Sequence, residues 1–389
     1  MKKQNILIAG WDGYIGYALT LRLLERGYSV TGIDNFSRRK YVKEMGSFSA
    51  IDIDDPDRRI NILREIGNFE HFTHPLHGDY ERLCNYLSIR KPDTVVNLAQ
   101  QPSAPFSLRS REDAVNTTND NLIGTLNMLY YLREFAPNAQ LIQIGSMGEY
   151  DPAAGTDIPE GTFDLHLNDK VGKNMIFPRR PGSFYHASKV ASTYYIDCAC
   201  RWWGLRATDI MQGVLYGNWT PEIEKYNTHT RLDSDECFGT VVNRFIVQAV
   251  LGEPLTIFGE GLQSRGYLAL NDAIQCLMLA IENPPKRGEY RTWNQLDEVW
   301  NIVALAGTVD KVAKKFGIKV EKTHIPSPRA ERTDGFEYNP YVEKLLHLGF
   351  EQTRQVEEEV EYAFKILAPY AKTELFPLQN VVTPKITWK

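Results

Sequence analysis

Short apolar runs and helical patterns alternate through the first half of the chain. NILIAG (5–10) is an apolar run of strand length that ends in glycine, and the residues from Tyr14 to Glu25 repeat apolar positions at helical spacing. SVTGID (29–34), PDTVVNLA (92–99) and AQLIQIGS (139–146) read as further strands, and a helix is expected near 121–135. Strands that alternate with helices predict an α/β fold, a doubly wound parallel sheet covered on both faces. Beyond residue 212 the alternation loosens. A strand at LTIF (255–258), a helix at KVAKKFGI (311–318) and another over 353–367 predict a smaller lobe.

The first strand runs into Gly10-Trp-Asp-Gly13-Tyr14-Ile15-Gly16, a G-x-x-G-x-x-G pattern at a strand–helix junction. Such glycines permit a tight turn, close approach of backbone to a pyrophosphate, and close packing of helix on strand. The free N–H groups of the helix start then face the phosphates. Asp34, followed by Asn35, ends the second strand, where a carboxylate accepts from a ribose diol and repels a 2′-phosphate. This favours NAD over NADP. Arg38 and Arg39 pull the other way, since either guanidinium could meet a phosphate. Asp79 either reaches the adenine edge or caps a helix. The expected division is 1–212 for the NAD-binding domain and 213–389 mainly for a sugar-nucleotide-binding lobe, with a return to the first domain around 238–275.

Tyr185-His-Ala-Ser-Lys189 places a phenol and an ammonium four residues apart, on one face of a helix. The positive charge favours the phenolate and makes the tyrosine a usable base. Ser146 ends the strand before it. With the dinucleotide loop and Asp34, these residues resemble the extended short-chain dehydrogenase/reductase family of NAD-dependent sugar-nucleotide enzymes. The resemblance implies a Rossmann-type sheet, a Ser146–Tyr185–Lys189 catalytic set, and cofactor contacts from Leu98, Ala99 and Asn121.

Within that family, DGYIGYAL, QPSAPFS, GSMGEYD, SFYHASK and FGTVVNRF running on to QSRGYLAL are similar to one branch, and the similarity covers essentially the whole chain. That branch joins UDP-glucose and sulfite into a UDP-sugar with a C6 sulfonate. It oxidises C4 with bound NAD, eliminates water across C5–C6, adds sulfite at C6 and returns the hydride. Related 4,6-dehydratases carry Asp-Glu at the two positions after the strand-end Ser or Thr. Here Met147-Gly148 stands there, so the C5 base is sought elsewhere, at His186 or Glu149. The resemblance implies that Arg265 and Arg329 hold the nucleotide diphosphate, with Arg244 a further candidate. Gln101, Ser103, Met147 and Gln212 are expected to line the sugar and sulfite pocket. One departure stands out: plant-type members carry Arg after the Gln of Gln-x-Ser-Ala-Pro, and this chain has Pro102. The rival readings are a 4-epimerase or dehydratase on the same fold, and a non-catalytic NAD-sensing scaffold.

A net charge of −5 argues against a general nucleic-acid binder. The five cysteines form no C-x-x-C pair, which suits reduced thiols in a cytoplasmic protein. No apolar run approaches a membrane span, and the start of the chain does not read as a secretory signal. His71, His74 and His77 are not expected to bind metal, because Pro75 interrupts any helix that would align them. The stretch 151–181 is expected to act as a lid, and the resemblance implies a homodimer.

Overall fold

The computed structural model describes residues 4–150, 157–327, 338–370 and 374–385. Its central sheet has seven parallel strands in the order Tyr290–Gln295, Arg206–Gln212, Gln140–Ser146, Thr94–Asn97, Asn5–Ala9, Ser29–Asp34 and Phe69–Thr73. This is the expected Rossmann-type sheet. Ile6 and Ile8 of the central strand enter one core while Leu7 and Ala9 enter the other. That period of two buries both faces of the sheet. Helices Tyr14–Glu25 and Leu270–Glu282 close the first face; Tyr80–Ser88, Gly124–Phe135 and Phe184–Trp203 close the second.

The turn after the first strand needs its glycines. Gly10 has φ +86, and a Cβ there would stand 2.6 Å from the Leu98 carbonyl carbon. A Cβ at Gly16 would stand 2.0 Å from Gly10 O. The helix can therefore seat on the strand only without side chains at these places.

The chain rejoins the sheet through Leu270–Glu282 and Tyr290–Gln295, rather than through the 238–275 stretch as a whole. Val241–Leu251, inside that stretch, packs with Ile302–Lys315 and Val356–Leu367 around a separate core. Beside this core lie a parallel pair, Leu255–Phe258 with Lys322–Ile325, and a three-stranded sheet of Val214–Tyr216, Ser264–Ala269 and Glu298–Asn301. The helix read over 353–367 begins at Val356, where Gln355 and Glu358 form a reciprocal cap. The described part of the 151–181 insertion contains an antiparallel hairpin, Thr162–Leu167 with Lys170–Ile176.

Candidate active site

The C-terminal ends of the central strands open onto a cavity of about 490 Å³, which the lobe closes with Phe258, Arg265 and Tyr267. Ligands of doubly wound sheets bind at this edge. Gly10, Gly13, Tyr14, Ile15 and Gly16 lie on one wall, and Asp34, Asn35 and Arg38 beside them. Helix Tyr14–Glu25 starts at Gly13 with no side-chain cap and no acidic residue in its first turn. Its first N–H groups are thus left for a phosphate, and the tight glycine turn leaves the space a dinucleotide needs. Leu98 and Ala99 also line the cavity.

Asp34 is half-buried, and desolvation followed by the neighbouring Asp12 pushes its carboxyl up to about 6. Its oxygens accept from Phe36 N at 2.7 Å and Asp12 N at 3.0 Å. Both arginines that suggested a 2′-phosphate are committed elsewhere. Arg38 donates to Asp233 Oδ2 at 2.6 Å, and Arg39 Nε to Asp12 Oδ2 at 2.6 Å.

Other expected residues stand off the cavity wall. Asp79 caps helix Tyr80–Ser88, accepting from Arg82 N at 3.0 Å. The cap alternative thus describes its position, and His74, Pro75 and Leu76 line the cavity instead. Asn121 sits in a π-helical turn, Asn119–Ile123, and holds the loop behind the site. Its Oδ1 accepts from Gln101 N at 2.7 Å, and its Nδ2 donates to Ser188 Oγ at 2.9 Å. Gln101 turns inward, donating to Thr117 Oγ1 at 2.7 Å. Its neighbour Gln100 lines the cavity and accepts from Lys189 Nζ. Ser103 and Pro102 are on the wall. Among the described residues of 157–181, none lines the cavity. Arg329 lies outside the described residues.

At the reaction end, Ser146, Met147, Gly148, Tyr185, His186, Lys189 and Gln212 share the cavity. Ser183 caps helix Phe184–Trp203, which presents Tyr185 and Lys189 on one face, and Lys189 Nζ stands 5.6 Å from the Tyr185 ring centroid. Lys189 also donates to Ile144 O at 2.7 Å. Burial pulls its ammonium down to about 8, against the charges of Glu149 and Asp209. Burial and Glu149 push the Tyr185 phenol up, and a hydrogen bond with Ser146 opposes them. Met147 packs with Tyr150, Ile158, Met211 and Tyr338.

Gly148 and His186 explain each other. A Cβ at position 148 would stand 2.3 Å from His186 Nε2. His186 Nδ1 lies 3.0 Å from Ser183 Oγ, so the ring is fixed on its other side. The imidazole therefore fills the space that a side chain at position 148 would need. Glu149 is fully buried and off the wall. It accepts from Ser146 N at 2.9 Å and pairs with Arg179. Burial lifts its carboxyl to about 7 against the pull of Arg179.

The lobe contributes Arg244 and Arg265 to the same cavity. Sequence reasoning passed over Gln100, Asp12, Arg231, Thr240 and Gln263, which line it too. Arg231 comes from a loop with no motif to mark it, whereas Thr240 and Gln263 lie within the stretches FGTVVNRF and QSRGYLAL.

A dinucleotide turn joined to a Ser–Tyr–Lys set under a sugar-sized recess defines an NAD-dependent sugar-nucleotide enzyme. The chain belongs to the NAD dependent epimerase/dehydratase family, whose model matches residues 6–295, and NAD is its cofactor. Within that family it belongs with the UDP-sulfoquinovose synthases. It is 40% identical over 388 residues to UDP-sulfoquinovose synthase of Sulfolobus acidocaldarius, covering 99% of this chain and 98% of that protein. It is 37% identical over 392 residues to the chloroplastic UDP-sulfoquinovose synthase of Spinacia oleracea, covering 100% and 80%. Among solved structures, UDP-glucuronic acid 4-epimerase from Bacillus cereus, in complex with UDP-glucuronic acid and NAD, shares the fold: TM-score 0.69, 19% identity, 94% of this chain and 99% of that one. Among the described residues no helix is long and apolar enough to cross a membrane.

Proposed function

We propose that this chain converts UDP-glucose and sulfite into UDP-sulfoquinovose and water. The observation that carries the reading is the His186 imidazole seated over Gly148, in a chain similar from end to end to two UDP-sulfoquinovose synthases. NAD, which Gly10, Gly13, Gly16 and Asp34 would hold, would supply a hydride acceptor and donor for C4 of the sugar. Tyr185 removes the 4-hydroxyl proton, Ser146 hydrogen-bonds the same oxygen, and the Lys189 ammonium supports the phenolate. The C4 ketone acidifies the C5 proton, which His186 takes and delivers to the 6-hydroxyl oxygen, so that this group leaves as water. The sulfur of bisulfite then bonds to C6 of the conjugated ketone, and the bisulfite proton passes to C5. We assign the C5 step to His186 because its ring is on the wall, whereas the Glu149 carboxylate is turned into the pair with Arg179. Arg244 and Arg265 suit the diphosphate. Gln212 and Met147 suit the sugar.

The test is incubation of the purified protein with UDP-glucose and NAD, with and without sulfite, followed by mass and NMR analysis. A C6 sulfonate formed only with sulfite is expected. UDP-galactose or a 4-keto-6-deoxy sugar, indifferent to sulfite, would overturn the reading in favour of an epimerase or dehydratase. Tyr185→Phe should slow NADH formation by roughly 10²–10⁴-fold; no NADH from the wild type on adding the sugar nucleotide would instead favour the non-catalytic reading.

We also propose a homodimer. Helices Arg111–Thr118 and Gly124–Phe135 pack beside Phe184–Trp203, and together they expose Val115, Tyr130, Tyr194, Tyr195 and Trp202. An apolar set of this kind suits a helix-bundle interface. Light scattering should give twice the mass of one chain, and Tyr194→Glu combined with Trp202→Glu should give one.

A further inference from the structure

The segment 217–239 leaves the lobe and is laced onto the NAD-binding half along its length. Tyr17 Oη and Thr228 Oγ1 are 2.9 Å apart, Arg59 donates to His229 O at 2.6 Å, and Ala50 N donates to Leu232 O at 2.9 Å. Thr230 Oγ1 donates to Tyr14 O at 2.7 Å, which ties this strap to the first turn of the helix that receives the phosphates.

Arg231 is the next residue. It is 4% exposed and lies on the cavity wall. Its Nε and Nη1 have no hydrogen-bond partner. Asp233 Oδ2 is 3.9 Å from its Nε and already accepts from Arg38 at 2.6 Å. Asp233 Oδ1 makes no hydrogen bond to Arg231 or to any other group, and the other nearby carboxylates are engaged: Asp12 by Arg39 and Arg59, Asp34 by two backbone N–H groups. A buried guanidinium with unspent donors is costly unless a ligand supplies the acceptor. At the phosphate-receiving turn of an NAD-dependent protein, that acceptor is an anionic oxygen of the dinucleotide.

We infer that Arg231 holds the diphosphate of bound NAD, and that the strap 217–239 is the catch that keeps the cofactor in place between turnovers. The inference rests on the reading that each hydride taken is returned within one cycle, which requires the cofactor to stay. A planar guanidinium can grip two phosphate oxygens at once, which an ammonium cannot.

The experiment compares wild type with Arg231→Met. Each is loaded with NAD and desalted, the NAD per chain is counted, and NADH dissociation is followed by stopped-flow fluorescence. Losing charge-assisted bonds to the diphosphate should speed dissociation roughly 10- to 100-fold. Affinity for ADP-ribose should fall by a similar factor while affinity for adenosine holds. A dissociation rate equal to wild type overturns the inference, and so does an equal loss of adenosine affinity. Should Arg231→Met not fold, Arg231→Lys decides: faster release than wild type supports the grip, and an unchanged rate overturns it. No sugar or sulfite enters these measurements, so a wild type that made no sulfonate would sink the reaction and leave this result readable.

Discussion

Replacing Gly148 with alanine should leave C4 oxidation little changed and slow sulfonate formation by roughly 10²–10⁴-fold, the range for losing a positioned acid–base group. The added Cβ would stand 2.3 Å from His186 Nε2 and 2.8 Å from its Cδ2. The ring has nowhere simple to go. Its Nδ1 is held at Ser183 Oγ, and the Ser183 side chain also accepts from His186 N at 3.2 Å to cap the helix that carries Tyr185. The imidazole must therefore swing out of the cavity or tilt Ser183. Tyr185 and Lys189 are seated independently of this contact, through Ser107 and through Ile144 and Gln100. Rapid mixing with UDP-glucose separates the two effects: NADH absorbance should still rise, while sulfite-dependent product should nearly vanish. His186→Ala should show the same split. Sulfonate formation at the wild-type rate in both variants would remove His186 from the C5 step.

That contact also shows what could be read along the chain and what could not. Met147-Gly148 was legible as a place where a carboxylate pair is missing, but its cause is a ring 38 positions further on, which only packing reveals. The central strands were legible because apolar runs such as Asn5–Ala9 are bounded by turns and buried on both faces. Phe69–Thr73 was not, since FEHFT is a short edge strand whose adjacent polar residues Glu70 and His71 break the alternation that marks a half-buried strand. Tyr290–Gln295 hides its strand character too: its buried Asn294 and Gln295 are polar, Asn294 Nδ2 donating to Ile158 O and Gln295 Oε1 accepting from Gln212. The glycine turn, Asp34 and the Tyr-x-x-x-Lys helix stood out because local spacing defines them. Gln101 and Gln100 are adjacent and alike, and only the loop's direction decides which one faces the cavity. Arg231 depends on a crossing from a segment some 200 residues away from the glycine turn, a distance no local pattern spans.

Beneath Ser146, removal of one half of a buried ion pair should be felt in stability and in pH dependence together. Glu149→Gln, unfolded by urea at pH 8, should be less stable by about 3–5 kcal/mol, since it takes from the buried Arg179 its paired carboxylate and leaves Asp209 as the remaining opposite charge. Both side chains are nearly inaccessible, so water cannot screen the loss. The double variant Glu149→Met with Arg179→Met should regain much of that stability, because neither remaining group has a charge to desolvate. Activity should shift as well. The Lys189 ammonium is present below about pH 8 and is lost above it, so C4 oxidation in the wild type should decline on that alkaline limb. Glu149 is the first charge opposing the burial of Lys189. Without it the ammonium is harder to keep, and the limb should move to lower pH in Glu149→Gln. A pH profile of NADH formation measures this directly. A limb that stayed near pH 8 in that variant would mean that the carboxylate does not support the Lys189 charge, and that the pair serves only to hold the strand end and Ser146 in place.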